Sequence, residues 1–208
     1  DERRLRPPAG ILLTHAHMGH VGGLMHLGNE AMAVRDLPVY ASPGLVGTLQ
    51  RSALWQPLLA RLRLIPLHAA EPLALAEDLT VTPLPVPHRD ELGTETFAFL
   101  ITGPSRRLLY LPDIDSWAGW REARRHLQGV DVAFVDATFA SPDEIGRQAT
   151  VAHPTLQETL SFFAGWPGEL WLTHLNHTNP LLDPGSAAAR AVAAAGRGVA
   201  RRGQTIPL

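Results

Sequence analysis

Residues 10–20 read GILLTHAHMGH and place three of the chain's ten histidines within six positions. The apolar run at 11–13 leads directly into His15, His17 and His20, which predicts a buried strand that ends in a polar turn. Strand ends at the rim of a sheet are where a rigid core presents functional side chains. The stretch therefore predicts a metal site, and its plainer alternative is a polar turn with no ligand.

Composition limits the chemistry that this chain can perform. The 208 residues are 45% hydrophobic and 18% charged, which predicts a single globular domain over 1–208. There is no Cys and every basic side chain is Arg, so thiol catalysis, disulfides and Schiff-base lysines are excluded. A bound metal would be held by imidazole and carboxylate, which suits zinc, iron or manganese.

Charge and hydropathy exclude two kinds of partner. The net charge is −2 and the arginines are scattered along the chain, so no extended nucleic-acid footprint is visible. Arg and Pro interrupt every long apolar run, so no membrane span is expected. No signal peptide is visible. Because the chain begins abruptly at Asp1, one expectation is that an upstream leader or domain has been removed.

Periodicity predicts strands separated by helices, in a layered α/β domain with a sheet sandwich at its centre. The prolines of the strand at 79–88 place it at a sheet edge, and Gly103-Pro104 joins two strands in a tight turn. The predicted strands are 10–14, 38–42, 79–88, 96–102, 106–112, 131–137 and 169–175. The predicted helices are 21–35, 44–54, 117–128, 154–164 and 186–195.

Three later motifs also follow predicted strands: VPHRDE at 86–91, LYLPDID at 109–115 and LTHLNH at 172–177. Chance rarely places such motifs after successive strands. His15 and His17 on one turn, with His88 from a distant strand, would form a three-nitrogen site that leaves a position open for water. That arrangement is typical of a catalytic zinc, which lowers the pKa of bound water to about 7.

These motifs resemble the H-x-H-x-D-H motif and the later His, Asp and His of the metallo-β-lactamase superfamily. The resemblance covers residues 10–208 and implies a four-layer αββα sandwich with hydrolysis through a metal-bound hydroxide, usually with zinc. It implies a first metal site at His15, His17 and His88. A second site would use His20, Asp113 and His174, with Asp113 bridging two metals or orienting water.

A closer resemblance is to the pyrroloquinoline-quinone biosynthesis B proteins and their relatives. It is carried by THLNHTNPLLDPGS at 173–186 and GRQATVAHP at 146–154. This branch implies a bacterial protein, either cytoplasmic or, after loss of a leader, periplasmic or secreted. It fixes no substrate.

Gly19 stands where the superfamily motif has Asp, so one metal is expected to bind firmly and the second weakly. Asp90 and Asp115 could fill the gap, and their alternative role is to cap turns.

The superfamily also places several strands before its first motif, whereas only nine residues precede residue 10 here. The N-terminal part of the domain is therefore expected to be truncated, and the strand at 10–14 to have neighbours on both sides. Without the missing strands an apolar edge would favour association, which makes a homodimer one expectation.

Further candidates carry competing interpretations. Asp113 and His177 are the predicted catalytic residues. His153 and His177 would either orient a ligand, face the substrate or serve the structure, and Asp136 would either bond a ligand His or cap its strand. Asn176 and Asn179 are expected to hold a loop through backbone hydrogen bonds rather than to touch substrate. Trp117 and Trp120 are expected in the core rather than in a pocket wall, and structural or solvated roles are expected for His26, His68 and His126.

The sequence predicts a metal-dependent hydrolase that acts on a phosphodiester, lactone or other ester of small-molecule size. One alternative is an iron-dependent redox or oxygen-using protein of the same fold. Another is a metal-binding relative without turnover. No G-x-S-x-G motif is present, which disfavours a serine hydrolase.

Overall fold

The structure is a computed structural model that describes residues 6–145 and 153–208. Most of the GRQATVAHP motif therefore lies outside the described residues. The chain divides into two compact units. The first unit contains Asp1–Glu71 and Arg89–Phe97, and the second contains Pro72–His88 and Ala98–Leu208.

The first unit is built on a parallel three-stranded sheet of order β1-β2-β3. Its strands are β1 (Ile11–Leu12), β2 (Leu37–Ala41) and β3 (Leu62–Pro66). Its helices are α1 (Met18–Val21), a 3₁₀ turn (Gly22–Leu27), α2 (Pro43–Arg51) and α3 (Gln56–Leu59).

Helix α2 shows how the local sequence builds this unit. Ser42 caps the helix by accepting a hydrogen bond from the Leu45 amide, and Pro43 occupies the first turn, where its missing N–H costs nothing. Leu45 and Leu49 lie on one face of the helix and are buried in a cluster with Val39 of β2. The helix therefore covers the sheet that carries the histidine turn.

The second unit is built on a seven-stranded sheet of order β10-β9-β8-β7-β6-β5-β4. Its strands are β4 (Leu73–Ala76), β5 (Leu79–Pro85), β6 (Phe97–Thr102), β7 (Arg107–Leu111), β8 (Val132–Asp136), β9 (Glu169–Thr173) and β10 (Gly198–Val199). Its helices are α4 (Ala123–His126), α5 (Pro142–Ile145), α6 (Leu156–Phe162), a 3₁₀ turn (Pro180–Leu182) and α7 (Ala187–Ala194).

Strands β7, β8 and β9 are parallel neighbours, so their carboxyl ends meet at one edge of the sheet. Asp113 follows β7, Asp136 ends β8 and His174 follows β9. Because parallel strands in such a sheet are buried, their apolar residues form the core and only the ends carry polar groups. The topology of the second unit therefore gathers three chemistry-bearing residues.

Several predicted elements are confirmed. The Gly103-Pro104 turn joins β6 and β7 as an antiparallel pair. Trp117 and Trp120 are buried in the core of the second unit, as expected. Among the described residues, no helix is both long and apolar enough to cross a membrane.

The prediction that strand 79–88 lies at an edge is wrong. Strand β4, which the sequence analysis missed, is the edge, and β5 is the next strand in. Strand β4 pairs only with residues 79–81 of β5, so Pro83 and Pro85 lie beyond that ladder and interrupt none of its hydrogen bonds.

Two predicted helices are much shorter than expected. The helix at 21–35 is only a 3₁₀ turn after α1, because the glycines at 22, 23 and 28 weaken helical backbone there. The helix at 117–128 is reduced to α4. In addition, β3 was missed. Strand β1 has only β2 as a neighbour among the described residues, and its central position in a domain with further N-terminal strands stays a prediction.

We predict that Leu109→Ala lowers the free energy of unfolding by about 2–5 kcal/mol, because Leu109 is fully buried in β7 and its truncation leaves a cavity. Denaturant titration followed by circular dichroism measures the change. Leu75→Ala in edge strand β4, where the side chain is 44% exposed, serves as the matched control and should cost much less. Equal losses in the two variants would contradict the assigned core.

Candidate metal centre

The three histidines of the first motif form one cluster in the first unit. His15 is fully buried, and its Nε2 lies 2.8 Å from Nδ1 of His17. The ring centroid of His15 lies 4.6 Å from that of His17 and 4.1 Å from that of His20. Thr14 Oγ1 lies 3.0 Å from Nδ1 of His15, which helps to fix the ring orientation. The sequence prediction that these imidazoles gather on one turn is therefore met within this unit.

The segment after His88 supports the same turn. The Asp90 carboxylate accepts hydrogen bonds from the Leu92, Thr94 and Ala16 amides at 2.9, 3.0 and 3.4 Å. Asp90 is partly buried, which alone would raise its pKa, but these bonds and the Thr94 hydroxyl lower the pKa overall. Asp90 therefore holds its loop against the histidine turn. This contact favours the turn-capping role over that of a substitute metal ligand.

In the second unit, the Asp113 carboxylate lies between two imidazoles. Its Oδ1 is 3.8 Å from Nε2 of His88 and 3.3 Å from Nε2 of His174. Asp113 is 2% exposed and His88 8% exposed, so these polar groups belong to the interior. The three residues come from three different strand ends, and the sequence motifs had singled out each of them.

The backbone at His174 is unusual. Its φ of 58° lies in the left-handed region that non-glycine residues rarely adopt. Thr138 Oγ1 lies 2.8 Å from Nδ1 of His174, and the backbone N–H of Asn176 donates to the Thr138 carbonyl at 3.0 Å. These contacts hold the strained residue, which is typical of a functional position.

Asp136 organises the neighbouring strand ends. It is fully buried and accepts hydrogen bonds from the Ile114 amide at 3.0 Å and from the Thr138 amide and hydroxyl at 2.9 and 2.7 Å. Its Oδ2 also lies 2.7 Å from Nδ1 of His153. Of the two interpretations that the sequence left open for Asp136, the strand-end role is found. Its histidine partner is His153, which was not among the predicted metal ligands.

The two buried acids of this unit have different electrostatic environments. The pKa of Asp113 is raised to about 7, chiefly by burial and in addition by the Asp136 charge, while His153 opposes the rise. Burial alone would lower the pKa of His153, but the hydrogen bond and charge of Asp136, with Asp113 and Asp115, raise it above its ordinary value. The environment of Asp113 thus disfavours its charged form, whereas that of His153 favours its protonated form.

Asp115 and His177 occupy different settings. Asp115 Oδ1 lies 3.1 Å from Nδ1 of His88, the nitrogen on the opposite side of the ring from the one near Asp113. A carboxylate on that nitrogen orients an imidazole ligand and increases its basicity, which favours a supporting role over replacement of the missing ligand. His177 is exposed, and its Nδ1 lies 3.1 Å from Asn176 Oδ1.

Asn179 and Asn176 differ in what their side chains contact. The side-chain Nδ2 of Asn179 donates to the carbonyls of Ala137 and Thr138 at 2.8 and 3.1 Å. Its side-chain Oδ1 accepts from the backbone N–H of Leu181 at 2.9 Å. Asn179 therefore holds the loop through backbone bonds, as predicted. Asn176 donates from its side chain to Thr178 instead.

The donors of the second unit fit a metal ion. One group comprises His88, Asp113 and His153, and another comprises Asp136, His153 and His174. In each group the candidate ligand atoms lie within 4.8 Å of one another. Imidazole nitrogen and carboxylate oxygen are ligands that zinc accepts. The convergence of His15 and His17 with His88 on one ion stays a prediction.

Sequence reasoning missed Thr138, which contacts Asp136, His153 and His174 together. The signal available was its position two residues after an acid that ends a strand. Glu91 was also missed, and its Oε2 lies 3.3 Å from Nε2 of His17.

Comparison with known proteins defines the class of fold. The sequence profile of the β-lactamase superfamily domain matches residues 1–175. The zinc-bound structure of PqqB from Methylobacterium extorquens superposes with a TM-score of 0.79 at 23% identity, over 96% of this chain and 73% of that one. A diphosphatase of the PhnP family superposes with a TM-score of 0.67 at 21% identity, over 94% and 69% of the two chains.

The chain therefore belongs to the β-lactamase superfamily and has the metallo-β-lactamase fold, as its motifs predict. Within the superfamily it is similar to coenzyme PQQ synthesis protein B of Methylobacterium sp. (strain 4-46). The two are 30% identical over an alignment of 235 positions, which covers 99% of this chain and 75% of the relative. The predicted resemblance to that branch is confirmed.

We predict that Asp136→Asn lowers the pKa of His153, because the amide keeps the shape of the carboxylate but removes its charge. The raised pKa of His153 in the folded protein contributes stability below the unfolded value of about 6.5, and this contribution is lost as the pH rises through the folded pKa. The variant should lose stability at every pH, because its amide nitrogen faces a backbone donor, and should lose additional stability on the acid side. NMR titration of the metal-free protein measures the pKa.

The exposed Asp183→Asn, which also neutralises one acid, is the control and should leave the His153 titration unchanged. An unaltered pKa in Asp136→Asn would contradict the role given to this carboxylate.

Proposed function

We propose that this protein is a metal-dependent hydrolase, with zinc as its metal, that cleaves a phosphodiester, lactone or other ester in a small molecule. The observation that carries the proposal is the buried Asp113 carboxylate between Nε2 atoms of His88 and His174. Burial of an acid at such a strand end is unfavourable without a positive partner, and a divalent cation would supply one. Superfamily membership and the diphosphatase among its structural neighbours support the same class of reaction.

Two sets of residues are proposed to hold metal. His15, His17 and His88 would form the firmly occupied site, and His20, Asp113 and His174 the weaker one. When bound, zinc would supply Lewis-acid chemistry, polarising the substrate and lowering the pKa of water to about 7. Asp115 and Thr138 would support the set by fixing the rings of His88 and His174.

The chain's own proton donor is proposed to be His153. Its Nδ1 is engaged by Asp136 at 2.7 Å, which fixes the ring and stabilises the protonated form. In this role His153 would not be a metal ligand: its Nε2 would carry a proton and give it to the oxygen of a departing group, a contribution of about 10²–10⁴ in rate for a well-placed general acid. Asp113, whose pKa stands near 7 without metal, would give up its proton as a cation binds.

The proposed substrate is a small molecule, and His177 is proposed to face it from the exposed loop after β9. The scattered arginines and the net charge of −2 argue against a polynucleotide substrate.

We predict that the purified protein contains zinc and hydrolyses at least one of three model substrates: bis(4-nitrophenyl) phosphate, dihydrocoumarin and 4-nitrophenyl acetate. His88→Ala should lower zinc content and reduce kcat/KM by more than about 100-fold, because it removes a proposed ligand. Plasma mass spectrometry and absorbance assays measure the two quantities. His68→Ala, at an exposed histidine, is the control.

Different outcomes separate the alternatives. Iron in place of zinc would overturn the zinc assignment and favour redox chemistry on the same fold. Zinc without hydrolysis of any substrate would contradict the hydrolase and favour a different role in coenzyme PQQ synthesis, the process named for its relatives. Full metal content in His88→Ala would contradict the ligand set.

We predict that Gly19→Asp raises occupancy of the second metal site. A Cβ atom at Gly19 would meet no other heavy atom within 4 Å, so the carboxylate can be introduced without a clash. The added negative charge strengthens binding of a dication to His20 and its partners. Zinc titration against a competing chelator should show a second equivalent that binds at least about tenfold more tightly than in the unmodified protein.

Gly23→Asp is the matched control, since a Cβ there also meets open space and the charge change is the same. An equal gain in both variants would indicate a general charge effect. Two equally tight zinc ions in the unmodified protein would contradict the explanation given for Gly19.

A further inference from the structure

A groove of about 850 Å³ lies in the second unit, formed by β9, β10, α7 and the segment that follows β10. It is called the C-terminal groove here and is lined by, among others, Trp171, Leu181, Val192, Arg201, Arg202 and Gln204. Its volume is within the range of about 300–1,000 Å³ that small-molecule sites occupy. None of the residues proposed above as metal ligands lines it.

The floor of the C-terminal groove is apolar and fixed. Leu181 and Val192 are buried in the core of the second unit. The Trp171 ring lies against Gly198, where a Cβ atom would stand only 2.2 Å from ring carbons, so only glycine leaves room for the indole. A rigid aromatic and aliphatic floor binds the apolar body of a ligand without a large ordering cost.

Two buried donors in the lining need an acceptor. The indole N–H of Trp171 and the amide nitrogen of Gln204 are buried, and neither has a hydrogen-bond partner among the described residues. The oxygen of the Gln204 amide is already used, since it accepts from the Arg201 amide at 3.2 Å. Buried donors usually find a partner, so an acceptor oxygen seated in the groove would satisfy an existing requirement.

The charge of the lining selects an anion. Arg201 and Arg202 are exposed, and neither forms a salt bridge with the described residues. Arg197, by contrast, is engaged with the carbonyls of Gly168, Phe163 and Trp166. No acidic side chain is among the described residues that line the groove. Guanidinium groups bind carboxylates through paired hydrogen bonds.

We propose that the C-terminal groove binds a small organic anion: a carboxylate whose apolar body lies on Trp171, Leu181 and Val192 and whose charge is met by Arg201 and Arg202. This site is separate from the proposed metal centre and does not depend on hydrolytic activity. The carboxylate could come from an acyl chain or from an aromatic acid, because both offer the same chemistry to the groove.

The test follows the indole N–H signals of the five tryptophans in two-dimensional ¹H–¹⁵N NMR spectra, with Trp171→Phe assigning the signal of Trp171. Octanoate and 1-naphthoate are the probes, and they distinguish the acyl from the aromatic source. The Trp171 signal should shift and saturate with at least one of them. Octan-1-ol, which has the same chain without the charge, should bind at least about tenfold more weakly.

Arg201→Gln combined with Arg202→Gln should weaken binding of the carboxylate by about tenfold and leave binding of octan-1-ol unchanged. Arg121→Gln, at an exposed arginine outside the groove, is the control. His88→Ala should bind the probe as the unmodified protein does, which separates this site from the proposed metal centre. A Trp171 signal that neither carboxylate moves, or equal affinities for octanoate and octan-1-ol, would overturn the proposal.

Discussion

The polar edge of the second unit depends on one buried acceptor, the carboxylate of Asp136. It bonds the backbone just after Asp113, fixes His153 and, through Thr138, reaches His174. A fully buried carboxylate is stable only when its oxygens are satisfied, and here four donor groups do so. The same bonds that make Asp136 tolerable in the core therefore also set the positions of three chemistry-bearing loops.

Asp113 and Asp136 show how similar burial gives two acids different properties. Asp136 receives backbone and hydroxyl donors from its own neighbourhood, whereas the pKa of Asp113 is raised to about 7 by burial and by the Asp136 charge. One acid is thus committed to structure and to His153. The other retains a demand for positive charge, which is the property expected of a metal ligand.

The fold also shows where local patterns mislead. Prolines predicted an edge for β5, yet the ladder with β4 stops at Val81, before the first proline of the strand. Helical spacing predicted a long helix after residue 21, yet glycine shortened it to a 3₁₀ turn. For β5, the neighbouring strand β4 decided the outcome, because it occupies the edge and pairs only before the prolines. For the segment after residue 21, the backbone entropy of glycine decided it.

The sequence by itself determined the superfamily, because motifs that follow strands can be read without knowing how the side chains pack. It also determined that imidazole and carboxylate are the available metal ligands and that thiol and lysine chemistry is absent. It also determined which strand ends carry Asp113 and His174. Only the tertiary structure decided that Asp90 holds a loop, that Asp115 faces the far nitrogen of His88, and that Thr138 connects three polar side chains. These roles depend on which nitrogen or oxygen of a side chain meets its neighbour, and that is set by side-chain orientation across residues distant in sequence.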